Sequence, residues 1–200
     1  MNPADPISLA LITGLGWTSG IRFYAVLFFL GALHRTGTYA LPASLELLAH
    51  PWVITVAGIL CITEFLADKI PGVDSLWDAL HTFIRIPGGA LLGAAAVIDS
   101  DPGLALAAGL LGGTIAAGAH FTKAGSRALI NLSPEPFSNW AASLTEDIVS
   151  LAALWTLLKY PLVFLGLLVL FVLMAVWFLP RLWRGLRQLV SGLRQPGPRA

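Results

Sequence analysis

Charge is scarce in this sequence. Only 12% of its 200 residues are Asp, Glu, Lys or Arg, while 56% are hydrophobic. A soluble domain carries about 25% charged residues, so an ordinary water-soluble globule is excluded and an integral membrane protein is indicated. Cysteine is scarcer still. The single Cys61 lies in an apolar run, which rules out an intramolecular disulfide. No basic start precedes the first apolar run, since "MNPADP" carries no Lys or Arg. That run is therefore expected to stay as a membrane helix instead of being removed as a signal peptide. No glycine-rich loop follows a strand pattern: "GLLGGT" lies inside an apolar helical run and is no nucleotide loop. Nothing points to nucleic acid, because the one basic run is short and adjoins an apolar helix.

What is present is a series of long apolar runs, with a mean hydropathy of +0.79. The clearest is "PLVFLGLLVLFVLMAVWFL", Pro161 to Leu179, which has no charge. It is about long enough for a hydrocarbon core of roughly 30 Å. Six crossings are expected: Ile7 to Leu33, Pro51 to Ala67, Ile86 to Ile98, Gly103 to Phe121, Trp140 to Leu158 and Leu162 to Leu179. The third is too short to span alone. It reaches full length if its helix begins near Asp74 and bends, or re-enters, at Pro87-Gly88-Gly89. A five-crossing version leaves the stretch before Pro87 flat on the surface.

The fold class expected is thus an all-α integral membrane protein with about six transmembrane helices. Residues 1–185 form one helical domain and residues 186–200 a basic tail. Nine of the twelve Lys and Arg residues fall on one side in this arrangement, five of them tail arginines. The positive-inside rule makes that side cytoplasmic, with both termini on it. The tail arginines then meet anionic lipid headgroups.

A repeat is visible at an offset of 98. "GLGWTSGIRF" from Gly14 and "GGTIAAGAHF" from Gly112 match Gly14 with Gly112, Gly20 with Gly118, Arg22 with His120 and Phe23 with Phe121. Three crossings between them would make a 3+3 inverted repeat, a recurring transporter plan. Glycines at these spacings equally suit close helix packing, including packing against a second copy in a homodimer.

The few charges are concentrated. "EFLADKIPGVDSLWDALHTFIR", residues 64–85, holds six charged groups and a histidine. Asp74, Asp78, His81 and Arg85 recur at i, i+4, i+7 and i+11, one face of a helix, with Asp74 as a fitting N-cap. His120, Lys123, Arg127 and Asn131 make a second stripe, mainly basic, which can face the first. Glu64, Asp68, Lys69, Glu146 and Asp147 fall at the same inner level, and Arg22 lies deep in the first helix. Carboxylates at this depth should face protein or a wet cavity. Seven acids (Glu64, Asp68, Asp74, Asp78, Glu135, Glu146, Asp147) stand against the four bases Lys69, Arg85, Lys123 and Arg127. That acidic excess suits a bound cation. Asp74, Asp78 and His81 are the candidate ligands of a divalent metal, whose identity the donor set does not choose. For single residues such as Lys69 or Glu135 the plainer reading is a side chain meeting headgroups.

"EFLADKIPGVDSLWDALHTFIRIPGGALL" and "GAHFTKAGSRALINLSPEPFSNW", with "SLTED" following, resemble the signature of a bacterial multi-pass membrane-protein family known as domain of unknown function 4126. The resemblance covers nearly the whole chain up to about Leu186. It implies a small inner-membrane protein in which Asp68, Lys69, Asp74, Asp78, His81, Arg85, His120, Lys123, Arg127, Asn131, Glu135, Asn139, Glu146 and Asp147 share one polar core. It implies no activity.

Three functions compete. The first is a small transporter or channel for a cation, proton or small ionic solute. Asp74, Asp78, Glu146 and Asp147 would then bind the cation, and His81 and His120 would titrate near neutral pH. The second is a membrane-embedded enzyme acting on a lipid headgroup or lipid phosphate, with Arg85, Lys123 and Arg127 gripping phosphate. No nucleophile motif accompanies it, so a non-enzyme is favoured. The third is a non-catalytic scaffold whose buried charges fix helix register.

Overall fold

The computed structural model describes residues 5–132 and 136–193. Six α-helices occur among the described residues: α1 (Pro6–Arg35), α2 (Pro51–Ala67), α3 (Val73–Ala95), α4 (Pro102–Ile130), α5 (Pro136–Lys159) and α6 (Pro161–Leu193). A 3-10 segment, Ala43–Ala49, lies between α1 and α2, and no strand occurs among the described residues. Five of the six α-helices open on proline, whose fixed φ suits the first helical turn and whose missing N–H is not needed there. Asp5 and Asp101 cap α1 and α4, accepting from Ile7 N (3.2 Å) and Leu104 N (2.9 Å). Asp74 is not the cap of α3. Gly72, at φ 84°, occupies that position, and Asp74 Oδ1 accepts from Gly72 N (2.8 Å) and Ser75 N (2.7 Å).

Four helices are long and apolar enough to cross a membrane: Pro6–Arg35, Pro102–Ile130, Phe137–Lys159 and Pro161–Arg181. A fifth candidate is the bent pair Ala43–Ala49 and Pro51–Ala67, which meet at 67°. By length and composition these are four candidate crossings, or five with the bent pair, and the expected six are not supported. Pro6–Arg35 is counted there as one helix, although a break at Arg22 divides it into two arms. α3 is not among the candidates, because Asp74, Asp78 and Arg85 lie within its length. It runs as one helix through Pro87. The break expected there is found in α1, where Arg22 has non-helical φ −141° and ψ 72°.

That break folds α1 back on itself. Gly93 of α3 abuts Ile12, while Gly31 abuts Leu48 of the 3-10 segment. Ser44 of that same segment donates from its hydroxyl to Ala95 O and from its backbone to Asp99 Oδ2 (3.1 Å). Ile12 and Gly31 thus lie at one level, although a straight helix would hold them about 28 Å apart. Residues 6–21 and 23–35 form the two arms of a V with Arg22 at its apex. The start of α1 shares a cavity with Tyr160 and Pro161, so the N-terminal end lies beside the α5–α6 connection. α6 then runs alongside the first arm, Trp17 packing edge-on against Phe164 and Phe171. The described ends of the chain consequently lie at opposite ends of the bundle, not on one side as six crossings would require.

The glycines hold three helices together. A Cβ on Gly112 would stand 2.7 Å from Gly89 O, and one on Gly93 would stand 2.9 Å from Ala108 O. α3 and α4 are therefore antiparallel and nearly backbone to backbone, as small residues allow in membrane helices. The first arm of α1 lies on α4 in the same direction, Gly16 on Gly112 and Gly20 on Ala116. An inverted pair would need opposite directions, so the two glycine segments are packing partners.

Candidate functional site

The antiparallel fit of α3 on α4 sets the charged stripes face to face. Asn131 Nδ2 donates to Asp74 Oδ1 (2.8 Å), Lys123 Nζ lies 3.3 Å from Asp78 Oδ1, and His120 Nε2 lies 2.7 Å from Thr82 Oγ1. Arg85 closes the stripe. Its two terminal nitrogens reach Glu64 Oε1 of α2 (2.5 Å) and Asp78 Oδ1 (2.6 Å).

The second half is centred on Asp68, which follows α2 and is fully buried. Its Oδ2 is 2.7 Å from Arg22 Nη1, 2.8 Å from Lys123 Nζ and 3.9 Å from Arg127 Nη2. Arg22 continues to Asp147 Oδ1 (2.7 Å) on α5. Arg127 makes a two-point bond to Glu146, Nε to Oε1 and Nη2 to Oε2, both 2.8 Å. Its remaining Nη1 donates to Asp68 O (3.1 Å) and to the Asn139 side-chain oxygen. Such planar, charge-assisted pairs are the strongest available to side chains. The break in α1 also serves the site, because Lys123 Nζ donates to Ile21 O at 3.4 Å. Lys69, in the connection after α2, sits at the rim, 3.6 Å from Asp147 Oδ2 and over the Phe65 ring. Burial pushes its pKa below the usual lysine value, with Asp147 acting in the opposite direction.

Hydrogen bonding fixes both histidines. His81 donates from Nδ1 to Trp77 O (2.7 Å), leaving Nε2 to the Tyr24 hydroxyl (3.0 Å). His120 receives Arg85 Nη1 on Nδ1 (3.3 Å) and so carries its proton on Nε2, toward Thr82.

Every candidate residue among the described residues except His81 thus enters one network. His81 lies against Tyr24 and Trp77. Among the described residues no three His, Cys, Asp or Glu side chains are placed to hold a metal ion. Asp74, Asp78 and His81 in particular face different partners: Asn131, Arg85 with Lys123, and Tyr24. Glu135, Arg194 and Arg199 lie outside the described residues. Sequence reasoning missed Tyr24, Thr82 and Ser143. Thr82 had a signal, standing four residues after Asp78. Tyr24 and Ser143, whose carbonyl accepts from Arg22 at 3.5 Å, had none.

Charge accounting follows. Among the described residues, five permanent cations (Arg22, Lys69, Arg85, Lys123, Arg127) meet six carboxylates (Glu64, Asp68, Asp74, Asp78, Glu146, Asp147). Glu64 Oε2, Asp68 Oδ1, Asp78 Oδ2 and Asp147 Oδ2 are buried and receive no hydrogen bond, and on the cation side Arg22 Nε and Arg85 Nε donate none.

Fold and site together define a protein that is all-helical among the described residues, whose four long apolar helices fit a membrane protein and whose buried charged side chains are gathered into one interior network. The chain belongs to the family described as Domain of unknown function (DUF4126), whose model matches residues 9–181. No curated protein and no solved structure matches it.

Proposed function

We propose that the protein is a small inner-membrane transporter in which a proton, or a cation in its place, is taken up by the Glu64–Asp68–Asp78 side of the network. One observation carries this reading: six carboxylates face five permanent cations, and four of the carboxylates keep a buried oxygen with no hydrogen bond, three of them on the Glu64–Asp68–Asp78 side. An uncompensated charge in such a place costs several kcal/mol, and the group takes a proton or a partner cation instead. Intramembrane ionisable groups of this kind commonly mark proton and ion pathways. A broken helix whose carbonyl at the break, Ile21 O, faces the Lys123 ammonium fits the same use. The lipid-phosphate enzyme is less well supported, because Arg85, Lys123 and Arg127 are each committed to carboxylates.

The test is transport by purified protein in liposomes holding a pH-sensitive dye, under imposed pH and cation gradients. Wild type should dissipate one gradient faster than empty liposomes. Asp78→Asn, with unchanged elution and helicity, should lose about tenfold, the equivalent of 1.4 kcal/mol in the barrier. Absence of flux for protons and for mono- and divalent cations would overturn the reading, as would full flux in Asp78→Asn.

A further inference from the structure

A cavity of about 230 Å³ lies between α1, α2 and α5. The buried Arg22 and Ser150 form its floor, Asp147 lies at its edge, and Cys61, Phe65 and Leu151 form its walls. Arg22 Nε and Ser150 Oγ are buried without a hydrogen-bond partner. Ser150 is unusual among its neighbours: Thr145 and Thr156 of the same helix donate to the carbonyls four residues back, at 2.8 and 2.7 Å. α2 and α5 are joined at the Lys69 end, where Trp140 Nε1 donates to Lys69 O (3.0 Å), and the cavity lies beyond that junction.

Three features select the occupant. Ile62 and Phe65 line the cavity yet are 62% and 39% exposed, so it opens on the apolar flank of the bundle. At its rim the Lys69 and Asp147 side chains are 23% and 19% exposed, whereas those of Arg22 and Asp68 are 4% and 0%. The accessible charges are therefore one cation and one carboxylate, side by side. Trp140 is half exposed beside them, as aromatic rings are at headgroup depth.

We infer that this groove seats one acyl chain of a bilayer phospholipid with a zwitterionic, primary-ammonium headgroup, its phosphate on Lys69 and its ammonium on Asp147. A purely anionic headgroup would leave Asp147 against a second negative charge. A quaternary ammonium has no N–H to donate to the carboxylate. Arg22 Nε and Ser150 Oγ keep the floor polar under the start of the chain, where the ester oxygens of a lipid lie. The inference does not depend on transport.

Cys61 lines the groove and is the only cysteine in the chain, which makes it a built-in reporter. The full chain, lipid-depleted in detergent, is treated with N-ethylmaleimide while phosphatidylethanolamine, phosphatidylcholine or phosphatidylglycerol is added. Phosphatidylethanolamine should slow modification about tenfold at roughly ten times its dissociation constant, and the other two should slow it far less. Ile62→Trp, a change on the outward face, should remove the difference among the three lipids. Equal protection by phosphatidylglycerol or phosphatidylcholine overturns the headgroup assignment. Protection by none overturns the site. The wild-type comparison stands by itself if Ile62→Trp fails to fold, and no gradient is involved, so its result and that of the flux assay are independent.

Discussion

Arg22 and Asp68 exclude water from each other almost completely, and each also serves a further partner. Removing one member of a buried pair strands the other, at a cost of about 3–5 kcal/mol. Arg22→Leu should therefore lower the thermal midpoint sharply in detergent, and Arg22→Lys should recover part of the loss. A midpoint unchanged in Arg22→Leu would mean that Asp68 and Asp147 find other partners. Glu64 and Arg85 give a cleaner comparison. Glu64→Gln and Arg85→Met should each destabilise, while the double variant should lose less than the sum of the two, by more than about 0.5 kcal/mol. Simple additivity in that cycle would remove the pair from the network. At this scale the sequence was informative where periodicity operates. The stripe from Asp74 to Arg85 and that from His120 to Asn131 follow from helical spacing alone. The pairing of Arg22 with Asp68 and Asp147 did not, because those partners arrive on two other elements and no local pattern announces them.

Among the elements, the glycines distinguish packing from coincidence. The repeat equated Gly20 with Gly118, yet a Cβ on Gly20 would collide with the Ala116 carbonyl and Ala119, while Gly118 has nothing within 4 Å. Gly20→Ala should reduce stability, and Gly118→Ala should be neutral or gain up to about 1 kcal/mol from helix propensity. Thermal melts of the two variants side by side decide it, and equal losses would argue against the α1–α4 contact. Helix positions were legible from apolar runs and opening prolines. The broken helix was not. Pro87 pointed to α3, which tolerates it, whereas α1 breaks at an arginine with no proline beside it. The only local signal is the Ser19-Gly20 pair just before it, a combination that permits a kink without requiring one, and the partners that hold Arg22 and Ile21 there come from beyond the helix, from Asp68, Lys123 and Asp147.

For the whole molecule the folded-back α1 changes the topology. Reading the arginine-rich end of α6 as cytoplasmic, the N-terminal end of α1 should face the opposite side. Reporter fusions active on only one side of the membrane, placed before Asp5 and after Arg187, should give opposite signals. Matching signals would restore the even number of crossings. The same V has a consequence for biogenesis. α1 leaves the ribosome before α2 and α5, with Arg22 at its tip, whereas Asp68 follows only after α2 and Asp147 only with α5. The tip has no full set of counter-charges until most of the chain has been made. Of the six helices, α1 is then made before the others yet is among the last to settle, and nascent chains halted before α5 should remain open to protease at Arg22.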